Sequence, residues 1–121
     1  MIGPAEMPSD IYWRRAEVLS VHDGDTATVR ISVGFSVYTV HPLRVFGVNA
    51  PELKNPDGSG VTAAAFTTQW VADHTAHGQF MARFVSWDAY NPRFDGVLVC
   101  GQNHSLNDDL LRSGNAVPYK A

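Results

Sequence analysis

The stretch HDGDTATVRISVGFSVYTVHPLRVFGV, residues 22–48, decides the fold. It opens on D-G-D, a turn signal. Behind the turn the period is two: Ala27, Val29, Ile31 and Val33 face one way, and Thr26, Thr28, Arg30 and Ser32 the other. Gly34 turns the chain, and residues 36–48 read as another strand. Pro42 lies inside it. Proline cannot donate to a ladder, so a bulge or an unpaired edge position is expected there. Upstream, IYWRRAEVLSV (11–21) is rich in aromatic and β-branched residues and reads as the strand before the turn. Three consecutive strands imply a meander.

Downstream, NAPELKNPDGSG (49–60) is a long loop. Residues 61–77 change period: Ala63, Phe66, Thr67, Trp70, Val71 and His74 form one stripe of a helix, with Gly78 at its C′ position. QFMARFVSWD (79–88) is a strand, AYNPR (89–93) a turn, and FDGVLVC (94–100) another strand. Ser105 caps a short helix, LNDDLLRS, which Gly114 ends. Residues 1–10 read as a loose arm and 11–121 as a single domain. A sheet this small hides its edges by closing on itself. The expected fold class is therefore α+β, mostly β: a five-stranded OB-fold barrel with one longer helix and one short C-terminal helix.

Hydrophobic residues make up 45% of the 121 and charged residues 17%, an ordinary globular composition. The formal net charge of −3 argues against a generic electrostatic binder of nucleic acid, leaving a locally basic site or a bound cation as the sources of positive charge. The single cysteine, Cys100, excludes an internal disulfide and a multi-thiolate zinc site, and reads as a small core residue. No apolar run approaches membrane-spanning length, and the N-terminal residues show no signal-peptide pattern. A reducing, cytoplasmic compartment, no membrane and a monomer are expected.

Three features carry chemistry. Asp23 and Asp25 flank one glycine; a simple turn accounts for them, but paired carboxylates at a strand end also suit a hard cation. Arg44 interrupts the apolar run LRVFGV, which reads as a central strand. There an arginine is either in a structural ion pair, with Glu17 or Glu52 as candidate partners, or reaching an anion such as phosphate. NAPE (49–52) then brings Asn49 and Glu52 near the same end of the barrel. Trp13, Trp70 and Trp87 read as packing residues rather than base-stacking platforms. His74 and His77 lie i, i+3 on the helix, but no third metal ligand is near them in sequence.

D-G-D-T (23–26), R-V-F-G-V-N-A-P-E (44–52), A-A-A-F (63–66), D-A-Y-N-P-R (88–93) and L-N-D-D-L-L-R-S-G-N-A (106–116) occur in this order. As an ordered set over residues 15–119 they resemble the staphylococcal (thermonuclease-type) nuclease family. The resemblance implies an OB-fold, Ca2+-dependent phosphodiesterase acting on DNA, RNA or both, by attack that leaves a 3′-phosphate. It implies that Asp25 is the main calcium ligand, with Asp23 in the cation's outer environment. Asn49 stands where the family usually has a second aspartate ligand, and Ala50 where a threonine ligates through its carbonyl. Glu52 resembles the glutamate that positions or deprotonates water, and Arg44 and Arg93 the arginines that grip phosphate. Tyr90 and Tyr119 resemble tyrosines of the nucleotide pocket. Apart from the resemblance, Lys54 in the loop after Glu52 reads as a solvated lysine, with substrate contact as the alternative. Asparagine at 49 removes one charge from the metal site, an expected weakening of about tenfold in affinity. NPRFDG is one residue longer than the family pattern.

Two further readings stand beside this one. OB-like barrels bind single strands or peptides without chemistry, so a catalytically weak or inactive binding module is the alternative. An accessory part of a larger assembly is the third.

Overall fold

The computed structural model describes residues 13–75, 80–88, 93–100 and 104–119. The expected arm (1–10), Gly78, His77 and Tyr90 lie outside the described residues. Strands β1 (Trp13–Asp23), β2 (Thr26–Gly34) and β3 (Val37–Val45) form an antiparallel meander. A two-residue strand β4 (Val48–Asn49) and helix α1 (Ser59–Thr75) follow, then β5 (Phe80–Asp88), β6 (Arg93–Val99), helix α2 (Leu106–Ser113) and β7 (Val117–Pro118). The barrel is closed in the order β1-β2-β3-β6-β5, with β3 and β6 parallel and all other pairs antiparallel. It is the five-stranded, OB-like barrel with two helices that the residue pattern implies.

The alternation in β2 fills the barrel. Ala27, Val29 and Ile31 are buried, and Leu43, Val45, Ala82 and Leu98 meet them from β3, β5 and β6. Burying a leucine side chain such as Leu43 contributes about 1.5–3 kcal/mol. Val33 departs from the expected inward row and is half exposed, because the β2–β3 hairpin runs past the barrel wall. Pro42 makes no bulge against β2, where it pairs in register with Thr28. It stands one residue before the parallel ladder to β6 begins at Leu43, so its missing N–H disturbs little.

The strand expected over 36–48 is shorter than the pattern suggests. It stops at Val45, and Gly47, with φ +81°, turns the chain before β4. β4 then pairs with β7, so the expected tail contains a strand. Helix α1 begins two residues earlier than its period indicates. The Asp57 carboxylate accepts hydrogen bonds from the Ser59 N–H (2.9 Å) and hydroxyl (2.6 Å), fixing the turn that opens the helix. Its inward stripe is as read: Ala63, Thr67 and Trp70 are buried, with Phe66 and Val71 packed beside them. Helix α2 has the expected caps, with the Ser105 side chain accepting from the Asp108 N–H and Gly114 left-handed at its end. Cys100 is buried. Trp87 is not: it stands half exposed with its ring against Phe94 and His41, because its strand position faces outward. Among the described residues, no helix is long and apolar enough to cross a membrane.

Candidate functional site

The D-G-D turn is held from below by small residues. A Cβ on Gly24 would lie 2.8 Å from the Ala63 Cβ and 3.1 Å from the Ala50 Cβ, so glycine is what allows the turn to seat on α1. The Thr67 hydroxyl donates to the Gly24 carbonyl at 2.6 Å. Asp25 is thereby fixed at the start of β2, only 6% exposed. Its carboxylate accepts from the Ala50 N–H (2.9 Å) and the Thr26 hydroxyl (3.1 Å), and its backbone carbonyl accepts from the Val45 N–H (2.8 Å).

Arg44 lies beside it. One guanidinium nitrogen, Nη1, donates to the Val48 carbonyl (3.0 Å) and, at longer range, to that of Val45. The other, Nη2, donates to Asn49 Oδ1 (3.1 Å) and lies 3.5 Å from Asp25 Oδ2. The side chains of Arg44 and Asp25 are 14% and 8% exposed, so this is a largely buried ion pair. Neither Glu17 nor Glu52, the partners considered from sequence, takes that place. Glu17 pairs with Arg30 across β1 and β2, and Glu52 with Lys54 (3.2 Å). The half-exposed Tyr119 ring stacks against the guanidinium, 5.3 Å from centroid to Cζ, and its N–H donates to the Gly47 carbonyl.

Asp25, Arg44, Asn49, Ala50 and Tyr119 are thus one cluster. Asp23 sits just outside it, paired in register with Thr26 and 3.9 Å from the exposed His22 ring. Glu52 is anchored by its backbone and open at its tip. A Cβ on Gly60 would overlap the Glu52 carbonyl, which also accepts the Asn55 N–H, whereas the Glu52 side chain is 63% exposed. Lys54 extends into solvent beyond it. Arg93, half-buried, opens β6. The parallel register sets Arg44 opposite Asp95, two residues on from Arg93, so both arginines belong to one outer face of the barrel.

The Asp25 carboxylate and the Asn49 amide oxygen are hard oxygen donors, and both already accept hydrogen bonds, Asp25 from the Ala50 N–H and Thr26 hydroxyl and Asn49 from Arg44. Among the described residues, grooves also lie elsewhere. One, of about 560 Å³, runs past Arg15, Arg30 and Tyr38; another passes Trp87 and Phe94. In comparisons with known proteins, no family model and no curated protein matches the chain.

Sequence reasoning missed a second cluster. His74 on α1, His104 before α2 and Asp109 on α2 have ligand atoms within 4.8 Å of one another. His74 is far in the chain from His104 and Asp109, so no local spacing signals the three together.

Proposed function

We propose that the protein is a divalent-cation-dependent phosphodiesterase, most simply a Ca2+-dependent nuclease of DNA, RNA or both, as its resemblance to the staphylococcal nucleases implies. One observation carries this reading: a buried carboxylate, Asp25, beside an arginine whose Nη1 is tethered to backbone while Nη2 bridges two oxygens. Asp25, Asn49 and Ala50 would hold the cation, which when bound supplies positive charge against the phosphate oxygens. Arg44, anchored through Nη1, offers Nη2 to an equatorial phosphate oxygen. The planar fork suits that partner, and Arg93 on the same face provides a second guanidinium. Glu52 has a fixed backbone and a solvent-exposed carboxylate, which suits a group that orients and deprotonates water. Tyr119 buttresses the guanidinium and presents a ring edge to substrate.

A non-catalytic binding module is the second reading. Arg44 is already engaged by Asp25, Asn49 and two carbonyls, and the Glu52 tip is paired with Lys54 rather than with the cluster. The groove beside Arg30, whose guanidinium lies 5.1 Å from the Tyr38 ring centroid, offers charge and an aromatic face to a single strand. An assay on single-stranded DNA and RNA with Ca2+, with EDTA and with Glu52→Gln separates the two. Cleavage lost in EDTA and in the variant supports the nuclease; cleavage indifferent to both defeats it. Tight binding without cleavage supports the module.

A further inference from the structure

We propose that His74, His104 and Asp109 form a binding site for one Zn2+ ion, which joins the C-terminal part of α1 to the start of α2. The site is separate from the Asp25 cluster and of different chemistry. Two imidazoles and one carboxylate form a borderline donor set that favours zinc over calcium.

The surroundings already orient the donors. His74 Nδ1 lies 2.7 Å from the Trp70 carbonyl, which can only accept, so Nδ1 carries the proton and Nε2 presents its lone pair. This is the arrangement by which backbone carbonyls hold metal-binding histidines. The Trp70 indole N–H donates to Asp109 Oδ2 at 2.8 Å, fixing the carboxylate from the other side. Trp70 is therefore the common support: buried at 4% exposure, stacked on Phe80, with its ring 4.6 Å from that of His74. His104 completes the set. Its ring centroid is 5.4 Å from that of His74, and its Nδ1 is 3.6 Å from Asp109 Oδ2.

Tetrahedral zinc ligands at about 2.0–2.1 Å stand roughly 3.3 Å apart. One ligand atom from each residue lies within 4.8 Å of the others, so closing the site asks for a side-chain shift of no more than about 1.5 Å between any pair. His104 is half exposed and makes most of that movement. Three protein ligands leave one position for water, and the exposure of His104 places that position toward solvent.

The test uses the full, tag-free chain, stripped of metal and titrated with Zn2+ by calorimetry. Co2+ serves as the spectroscopic probe, and melting is followed by circular dichroism. The expected result is one ion per chain with a Kd on the order of 1 µM or tighter, tetrahedral Co2+ bands, and a higher Tm with zinc. His74→Gln, His104→Gln and Asp109→Asn should each weaken binding beyond the roughly 10–100-fold that loss of a merely supporting hydrogen bond costs. His22→Gln, His41→Gln and a large excess of Ca2+ should leave it unchanged. Millimolar or absent binding overturns the proposal, as does affinity indifferent to His104→Gln. That variant decides the matter if His74→Gln fails to fold, because His104 lies at the surface. Asp25→Asn, which addresses the calcium cluster, should leave zinc binding intact, so the two sites fail independently.

Discussion

Replacing Arg44 with methionine tests whether the Asp25–Arg44 pair holds the turn, the loop and β3 together. The substitution keeps much of the side chain's apolar length and removes the guanidinium. Asp25 is left as a buried charge without its cation, though the Ala50 N–H and Thr26 hydroxyl still satisfy part of it. Breaking a buried pair from one side costs about 3–5 kcal/mol, and those two remaining bonds set the expectation near 3 kcal/mol. For a domain of this size that is a fall in Tm of at least about 10 °C. Asp25→Asn keeps the shape and most hydrogen bonds, leaves the guanidinium uncompensated, and should cost about 2 kcal/mol. The double variant removes both charges together, so it should cost no more than the worse single, a coupling of about 2 kcal/mol. Urea unfolding of all four proteins measures this cycle. Additive losses, or an Arg44→Met cost below about 1 kcal/mol, would refute a structural ion pair. On the nuclease reading the double variant also divides stability from chemistry: it should remain folded, no less stable than Arg44→Met, and lose cleavage.

Other outcomes follow from the same contacts. Gly60→Ala drives a methyl into the Glu52 carbonyl, so the loop must shift; a loss of about 1–3 kcal/mol in urea melts and a fall in cleavage rate are expected. Thr67→Val removes the donor to the Gly24 carbonyl inside the fold and should cost about 1–3 kcal/mol, read as a lower Tm. The Ser59 hydroxyl and N–H hold the Asp57 carboxyl below its ordinary range. The bonds therefore stabilise the fold above about pH 4 and lose that effect as pH falls through the lowered value. The stability gap between wild type and Asp57→Ala should shrink over that window in urea melts.

The barrel was legible because its signals are local. Val29 and Ile31 repeat every second residue, and Ala63, Thr67 and Trp70 repeat at helical spacing, whatever surrounds them. Val33 departs from its row for the complementary reason: period tells which side a residue faces, not where the strand leaves the shared core. β4 and β7 are two residues each, too short for any period, and exist only because they meet. Arg44 was identifiable as anomalous from its apolar neighbours. Its partner was not, since Asp25 reaches it only after β2 and β3 pair with Thr26 opposite Arg44. The His74, His104 and Asp109 cluster lies further still beyond sequence reading, assembled by packing of α1 on α2 with Trp70 between.

The clasp between β4 and β7 imposes an order on biosynthesis. Residues 117–119 pair with the segment bearing Asn49 and lay the Tyr119 ring on Arg44. While a ribosome still shelters those residues, the nascent chain can wind its meander and first helix yet lacks the wall behind that guanidinium. The wall behind that guanidinium is therefore completed only once residues 117–119 emerge, after the meander and first helix.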